Sequence, residues 1–401
     1  MSQRKILEIG SRCTGCFACQ NACPHNAISF NEQNEGFYYP SVDSKLCVDC
    51  GLCDKSCPRI TRLQRYTMKS AYYGWSNDIK TRVQSSSGGL FAELSQLIIS
   101  DGGCVFGAAF NYSNGLRLES HSTDELPLSE LLKSKYVQSY VGNAYRDVRT
   151  QLKLGRSVLY CGTPCQIEGL RAFLGNDYEN LILVDFICHG VPSMDLLRKH
   201  LEMLKLTGIS EINFRPKISS WVDYFIIKHS RGKRKIHWTL DEYFYAFEKS
   251  KNIRQSCMNC EHCNGARSAD ITIADFWGIH KYAPEEYDPK GISLILCNTD
   301  KGINFLNAII DKGTITCNKL PMEYTEYVYN RKRTKTTGYD MDDRNRFIAE
   351  VYHQGYRRAL KCHGIYNSMF KKMIKVINNF LHNLYHIFIV SPPQKNNNKL
   401  L

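Results

Sequence analysis

A cysteine run that occurs twice in the first sixty residues constrains this chain more than any other feature. Cys13-Thr-Gly-Cys16-Phe-Ala-Cys19-Gln-Asn-Ala-Cys23-Pro24 recurs 34 positions later as Cys47-Val-Asp-Cys50-Gly-Leu-Cys53-Asp-Lys-Ser-Cys57-Pro58. Each copy reads C-x2-C-x2-C-x3-C-P. Three thiolates two residues apart on a tight loop can cap three corners of an iron–sulfur cubane. The fourth, on the helix that follows, points to the other loop. The spacing predicts one [4Fe-4S] cluster on Cys13, Cys16, Cys19 and Cys57, and a second on Cys47, Cys50, Cys53 and Cys23. Zinc binding or a thiol-rich remnant is the competing reading, and eight matched spacings speak against it. The prolines turn the chain out of the short helices, and residues 27–30 and 36–40 read as short strands.

The run resembles that of bacterial two-cluster ferredoxins. Beyond it, 401 residues with 43% hydrophobic and 23% charged side chains allow two to three domains and exclude a disordered or fibrous chain. The first residues, MSQRKILE, hold no apolar core of a secretory signal, so the eighteen cysteines are not expected to be disulfides. A cytoplasmic location follows as the expectation. The longest apolar stretch, residues 380–390, contains His382, Asn383 and His386 and is too short to span a bilayer. Residues 1–60 carry six basic and six acidic side chains, so the net charge of +13 lies beyond them.

After a basic connector (62–69) strands and helices alternate. Residues 71–75 read as a strand. Residues 85–89, SSSGG, open an amphipathic helix with Leu90, Phe91, Leu94, Leu97 and Ile98 on one face, and residues 104–110 read as a buried strand. Strand 157–160, turn 161–165, helix 166–174, strand 181–187 and helix 193–206 form a parallel βαβ unit. This unit sets Cys161, Cys165 and Cys188 at the carboxyl ends of neighbouring strands, where open α/β sheets bind ligands. Cys257, Cys260 and Cys263 then precede a loop, a buried strand and a turn at Asp275 and Gly278. Their C-x2-C-x2-C loop lacks a fourth ligand, which Cys165 or Cys188 can supply, and a third [4Fe-4S] cluster is the preferred reading. Zinc on the three loop thiols with His262, or packed inert thiols, are the alternatives. Cys104, Cys297, Cys317 and Cys362 read as packing residues. The start of the helix at Ser87, Gly88 and Gly89 offers N–H groups suited to a pyrophosphate, with an ordinary cap as the plain alternative.

The segments SSSGG (85–89), GTPCQIEGL (162–170), CHGVPS (188–193), NFRPK (213–217) and 257–278 together resemble the coenzyme F420 hydrogenase/dehydrogenase beta-subunit family. The likeness is closest to its bacterial branch with a fused two-cluster ferredoxin, often met near polysaccharide-biosynthesis genes. It runs from about residue 10 to 310. The resemblance implies an FAD beside a [4Fe-4S] cluster, with Cys165, Cys188, Cys257 and Cys260 as cluster ligands and Cys263 as an extra thiol. It implies flavin contacts from the 85–89 turn, Lys135 with Tyr136, Gly162, Thr163, Asp275 and Gly278. His189 is the candidate proton relay, a strand-end cap being its plain alternative.

Residues 331–375 carry twelve basic and four acidic side chains, a net +8. A helix follows with Met369, Phe370, Met373, Ile374, Ile377, Phe380 and Leu381 on one side. Docking on its own body or on another polypeptide is the preferred reading, with peripheral membrane contact through residues 365–390 as the alternative. Nothing resembles a nucleic-acid reader, and the end from residue 391 reads as disordered.

The expectation is an α+β two-domain chain: a small ferredoxin-like domain (1–62), a larger α/β domain with a mixed, partly parallel sheet (70–325), and a basic helical extension (326–401). Its function is that of an iron–sulfur flavoprotein oxidoreductase. Electrons pass between the clusters and a flavin that acts on an organic substrate, with polysaccharide biosynthesis as a suggested setting. A redox protein or a small molecule supplies or takes the electrons, and the chain can form an oligomer. The rivals are an electron-carrier protein without its own substrate site and a zinc-stabilised interaction protein.

Overall fold

The computed structural model describes residues 5–113, 115–221, 224–263, 265–321, 340–366, 373, 374 and 377. In the N-terminal unit, strands β1 (Ile28–Glu32) and β2 (Tyr38–Val42) pair antiparallel with Ile28 opposite Val42. The cysteine loops on either side lead into the short helices Ala18–Ala22 and Leu52–Lys55. Both loops turn through a left-handed residue at the same repeat position, Phe17 (φ 65°) and Gly51 (φ 74°). That conformation is unfavourable for a phenylalanine. Packing holds it there: the Phe17 ring stacks 4.0 Å from Phe30 and meets Tyr140 edge-on at 4.9 Å.

The body is built on an eight-stranded sheet. Its strands are β3 (Ser70–Ser76), β4 (Cys104–Asn111), β5 (Arg117–Ser122), β6 (Val158–Cys161), β7 (Leu181–Phe186), β11 (Ile271–Asp275), β12 (Ser293–Cys297) and β13 (Ile315–Leu320), in the order β13-β3-β12-β11-β7-β6-β4-β5. The inner four, β11, β7, β6 and β4, run parallel, and every flanking pair is antiparallel. Apolar runs such as LILVDF in β7 and SLILC in β12 suit strands covered on both faces. On one face lie helices Leu90–Ser100 and Asp300–Asp311, with Leu94, Ile98, Leu306 and Ile309 buried on the sheet. A second, three-stranded sheet joins β8 (Glu211–Asn213), β9 (Tyr224–His229) and β10 (Gly232–His237) in the order β10-β9-β8.

The opposite face of the large sheet carries helices Ala144–Lys153 and Pro164–Leu174, and the cysteine unit packs on them. Phe17, Ile28, Phe30 and Tyr38 share one core with Val148, Tyr160, Ile167 and Leu170. Each such buried apolar side chain contributes about 1.5–3 kcal/mol. Three arginines pin the seam. Arg146 donates to the Asn21 carbonyl (2.9 Å), the Gln20 carbonyl (3.2 Å) and the Cys23 carbonyl. Arg254 donates Nε–H to the Cys13 carbonyl (2.8 Å) and lies 4.0 Å over the Tyr39 ring. Arg344 forks onto both Glu35 carboxylate oxygens (2.9 and 2.6 Å) and donates to the Ile253 carbonyl. Gly36 (φ +70°) admits the hairpin against Asp195, whose Cβ any side chain at that position would strike.

Strand 157–160, helix 166–174 and strand 181–187 form as the periodicity predicts, and β6 and β7 are parallel neighbours. The three-stranded sheet, β5 and β13 are additions, formed by strands too polar or too short to stand out: β10 reads GKRKIH. Helices Met341–Gln354 and Tyr356–Cys362 bury Phe347, Ile348, Val351 and Leu360 in a core shared with the three-stranded sheet. Cys362 is a correction, since it lies exposed on the second of these helices and does not pack. Of the amphipathic stretch and tail expected beyond residue 366, only Met373, Ile374 and Ile377 are described, helical and exposed. The rest of that stretch falls outside the described residues. Among the described residues no helix is long and apolar enough to cross a membrane.

Candidate iron–sulfur and redox site

Cys165 stands in the first turn of helix Pro164–Leu174, which is fixed by a capping box between Thr163 and Gln166. The Thr163 hydroxyl lies 3.2 Å from the Cys165 sulfur. Cys188 follows β7, and the short helix Gln255–Met258 delivers Cys257 with Cys260 and Cys263 behind it. Cys165, Cys188, Cys257 and Cys260 are mutual electrostatic neighbours, and Cys263 lies beside Cys188, Cys257 and Cys260. Burial first, then their neighbours, pushes Cys165 up to about 11 and Cys257 up to about 12. Burial and the Cys257, Cys165 and Cys260 thiols also hold Cys188 well above the usual thiol range. Cys260 and Cys263 share a hydrogen bond that raises the former and lowers the latter. Buried thiols so reluctant to ionise together suit a cationic iron core, which stabilises several thiolates at one point. The donor set fits a cubane.

In the N-terminal unit, Cys16 is held protonated by burial and then by Cys57, with Cys13 and Cys165 also near. Cys19 is raised by burial, by Cys16, Cys13 and Cys57, and by Cys53 of the other loop. Cys13, Cys16, Cys19 and Cys57 are thus electrostatic neighbours. That group also abuts the body site. Gly169, one turn beyond Cys165, has no side chain because a Cβ there would stand 2.9 Å from Cys16 Cβ and 3.0 Å from its sulfur. The connector ties in the third cysteine loop: Arg59 pairs with Glu261 (2.6 Å), and Arg65 bridges Glu168 (2.7 Å) and Glu261 (3.3 Å). His262, considered above as a zinc ligand, has its Nε2 3.5 Å from Glu168. Burial and three arginines depress its pKa well below the usual range.

The carboxyl ends of β6, β7 and β11 bring Cys161, Cys188 and Asp275 to the same end of the sheet. Asp275 ends β11 and takes a two-pronged ion pair from buried Arg215 (2.7 and 3.0 Å). Gly278 caps the helix Ile279–Tyr282. The 85–89 turn is more self-contained than the sequence predicts. The Ser87 hydroxyl donates to the Ile292 carbonyl (2.7 Å), the Gly88 N–H to Ser293 Oγ (2.9 Å) and the Gly89 N–H to the Ser86 carbonyl (3.0 Å). Those donors are spent within the chain, so the phosphate cradle expected at Ser87, Gly88 and Gly89 is corrected to a cap. Lys135 likewise turns inward and donates to the Leu131 (3.1 Å) and Leu132 (2.5 Å) carbonyls. Gly162 donates to the Val184 carbonyl (3.1 Å), and His189 sits half-buried beside Cys188. The sequence reading missed the roles of Arg215 and Lys217, although both lie in the NFRPK segment. Lys217 donates to the Arg82 and Ser87 carbonyls. A cleft of about 680 Å³ lined by Trp75, Arg82, Tyr287, Asp288 and Lys290 contains none of the cysteines.

Burial is the main cause that holds Lys217 and Lys135 each down to about 7. The unfolded chain, with lysines near 10.4, binds more protons than the folded one between about pH 7 and 10, so stability contributed by these groups rises with pH across that window. Below about pH 7 the cost of charging both is complete. Lys217→Met is expected to remove roughly half of that rise, read as the anaerobic urea midpoint followed across the window. An unchanged slope would mean that water reaches the ammonium.

Two cubane-type cysteine loops, the first of them seated against a third thiol site at the strand ends, define an iron–sulfur electron-transfer protein. Residues 155–323 match the family model for the C-terminal region of the coenzyme F420 hydrogenase/dehydrogenase beta chain, and residues 12–60 match the 4Fe-4S dicluster domain. Residues 155–323 thus carry the C-terminal region of coenzyme F420 hydrogenase/dehydrogenase beta subunits, behind a ferredoxin domain. It is 22% identical to the Coenzyme F420-dependent sulfite reductase of Methanocaldococcus jannaschii over 77% of this chain and 48% of that protein. It is 40% identical to the Ferredoxin-type protein NapF of Escherichia coli over 13% of this chain and 35% of that one. The chain thus spans half or less of the length of these relatives. A chain of the F420-reducing [NiFe] hydrogenase complex from Methanosarcina barkeri overlays 72% of this chain and 93% of its own, with 16% identity and a TM-score of 0.46.

Proposed function

We propose that the chain is an oxidoreductase that moves electrons along three [4Fe-4S] clusters, between the ferredoxin unit and a flavin at the mouth of the sheet. The observation that carries this reading is the seat of Cys16 against Gly169 and Cys165, which joins the ferredoxin-type site to the body site through direct packing. Cys165, Cys188, Cys257 and Cys260 are the proposed ligands of the third cluster. When bound, a flavin exchanges single electrons with a cluster and electron pairs with an organic substrate. Arg215 supplies a buried guanidinium at the strand ends, which favours an anionic group there, and Asp275 orients it. With the Gly88 and Gly89 N–H groups engaged, Arg215 rather than that pair supports the flavin's phosphates. Because a relative is an F420-dependent enzyme, a deazaflavin is one proposed electron partner, and an organic substrate of polysaccharide assembly is another. Thiolates committed to iron–sulfur clusters stay reduced in a reducing compartment, and the proposed location is cytoplasmic.

The test is anaerobic purification followed by assay of iron, acid-labile sulfide and released flavin. About twelve iron and about twelve sulfide per chain with one flavin are expected from three four-iron clusters. About eight iron without flavin would leave an electron carrier.

A further inference from the structure

The two cysteine loops have the same spacing and the same turn, yet the body treats them oppositely. In the first loop Phe17 and Ala18 are 0% exposed, covered by helices Ala144–Lys153 and Pro164–Leu174. In the second loop the residues at and around the matching positions stand in solvent. Leu46 is 49% exposed, Val48 59% and Leu52 41%, and Cys50 between them is exposed too. Leu7, on a neighbouring helix tied down by the Ile6 N–H to Asp54 Oδ1 (3.1 Å), is a further uncovered apolar side chain. Apolar groups clustered around a cofactor loop mark an interaction site rather than scattered surface.

We infer that the rim formed by Leu46, Val48, Cys50 and Leu52 is the docking face for a separate redox protein, one whose own centre is ringed by an apolar, nearly uncharged surface. This rests on the proposed electron route. Two observations choose the occupant. The first loop shows what covers such a turn: an apolar protein face that carries another redox site, Cys165. The seam pinned by Arg146, Arg254 and Arg344 then commits the first loop to the body, so an outside protein reaches the clusters through the second loop. The rim also carries little net charge. Asp43, Asp49 and Asp54 stand against Lys45 and Lys55, so contact area rather than long-range attraction must hold the partner.

The experiment compares the full, cluster-loaded chain with the Val48→Asp/Leu52→Asp and Val48→Lys variants, neither of which touches a ligand. Reduced two-cluster ferredoxin and dithionite serve as alternative donors in stopped-flow bleaching, and calorimetry measures ferredoxin binding directly. Both variants are expected to bind ferredoxin at least ten-fold more weakly and to be reduced by it correspondingly more slowly. Reduction by dithionite and iron content are expected to match the parent, with little salt dependence throughout. Unchanged ferredoxin binding overturns the inference, as do opposite effects of the acidic and basic variants, which would mark a charge-steered encounter. A parent that sediments as a dimer which the variants dissolve also overturns it, because a second copy then owns the face. If dithionite reduces the ferredoxin clusters but the body site stays oxidised, the electron route fails instead, and the binding data judge the docking face independently.

Discussion

Replacing Cys165 or Cys188 by serine is expected to lower the iron content from about twelve to about eight per chain, whereas Cys263→Ser keeps about twelve. Five thiols meet at the body site, and a cubane has four corners. The proposed ligand set takes Cys165, Cys188, Cys257 and Cys260 and leaves Cys263 over. Cys165 and Cys188 come from separate elements, the helix Pro164–Leu174 and the loop after β7. The functional effect is sharper than the iron count. With Cys165 lost, the ferredoxin clusters still bleach with dithionite, but electrons stop at the group on Cys16. Iron analysis and redox-titrated spectra of the three variants check this. Full iron in Cys165→Ser with loss in Cys263→Ser would assign the loop thiols and Cys188 as the ligand set.

Arg344→Ala is expected to lower the stability of the folded chain by about 2–3 kcal/mol. Removing one partner of a buried ion pair costs about 3–5 kcal/mol. Here the Arg344 side chain is 1% exposed but its partner Glu35 is 26% exposed, so water recovers part of the loss. The substitution also leaves the Ile253 carbonyl without its guanidinium donor. Arg344→Lys should recover little, because an ammonium cannot fork onto both carboxylate oxygens. Anaerobic urea unfolding provides the measurement, and a midpoint equal to the parent's would show that the pair is not what seats the hairpin. Limited proteolysis should cut the hairpin of the alanine variant first.

The cysteine sites were legible because metal ligation fixes spacing: a C-x2-C-x2-C-x3-C-P run leaves few alternative folds, and Cys165 and Cys188 followed from the βαβ pattern. The βαβ strands were legible because parallel strands buried on both faces are continuously apolar. The three-stranded sheet was not. Half its strand residues are polar or charged, and its register is set by contacts with Phe347 and Ile348, more than a hundred residues away in sequence. The engaged state of the 85–89 turn was equally hidden, since the Ile292 and Ser293 groups that satisfy it come from a distant strand end. The roles of Arg146, Arg254 and Arg344 have no local signature. Each is one arginine among many, distinguished only by the carbonyls the fold brings to it.

The Glu35–Arg344 pair joins residues 309 positions apart, and this has a consequence for biogenesis. A ribosome adding 5–20 residues per second needs roughly 15–60 s to pass from one partner to the other. Throughout that interval the hairpin lacks its last anchor. The helices that cover the first cysteine loop, Ala144–Lys153 and Pro164–Leu174, are made well before residue 344, so the N-terminal unit is seated in stages. Its first thiols are most open to iron and sulfide before those helices fold, and Arg344 locks a hairpin beside a loop already covered.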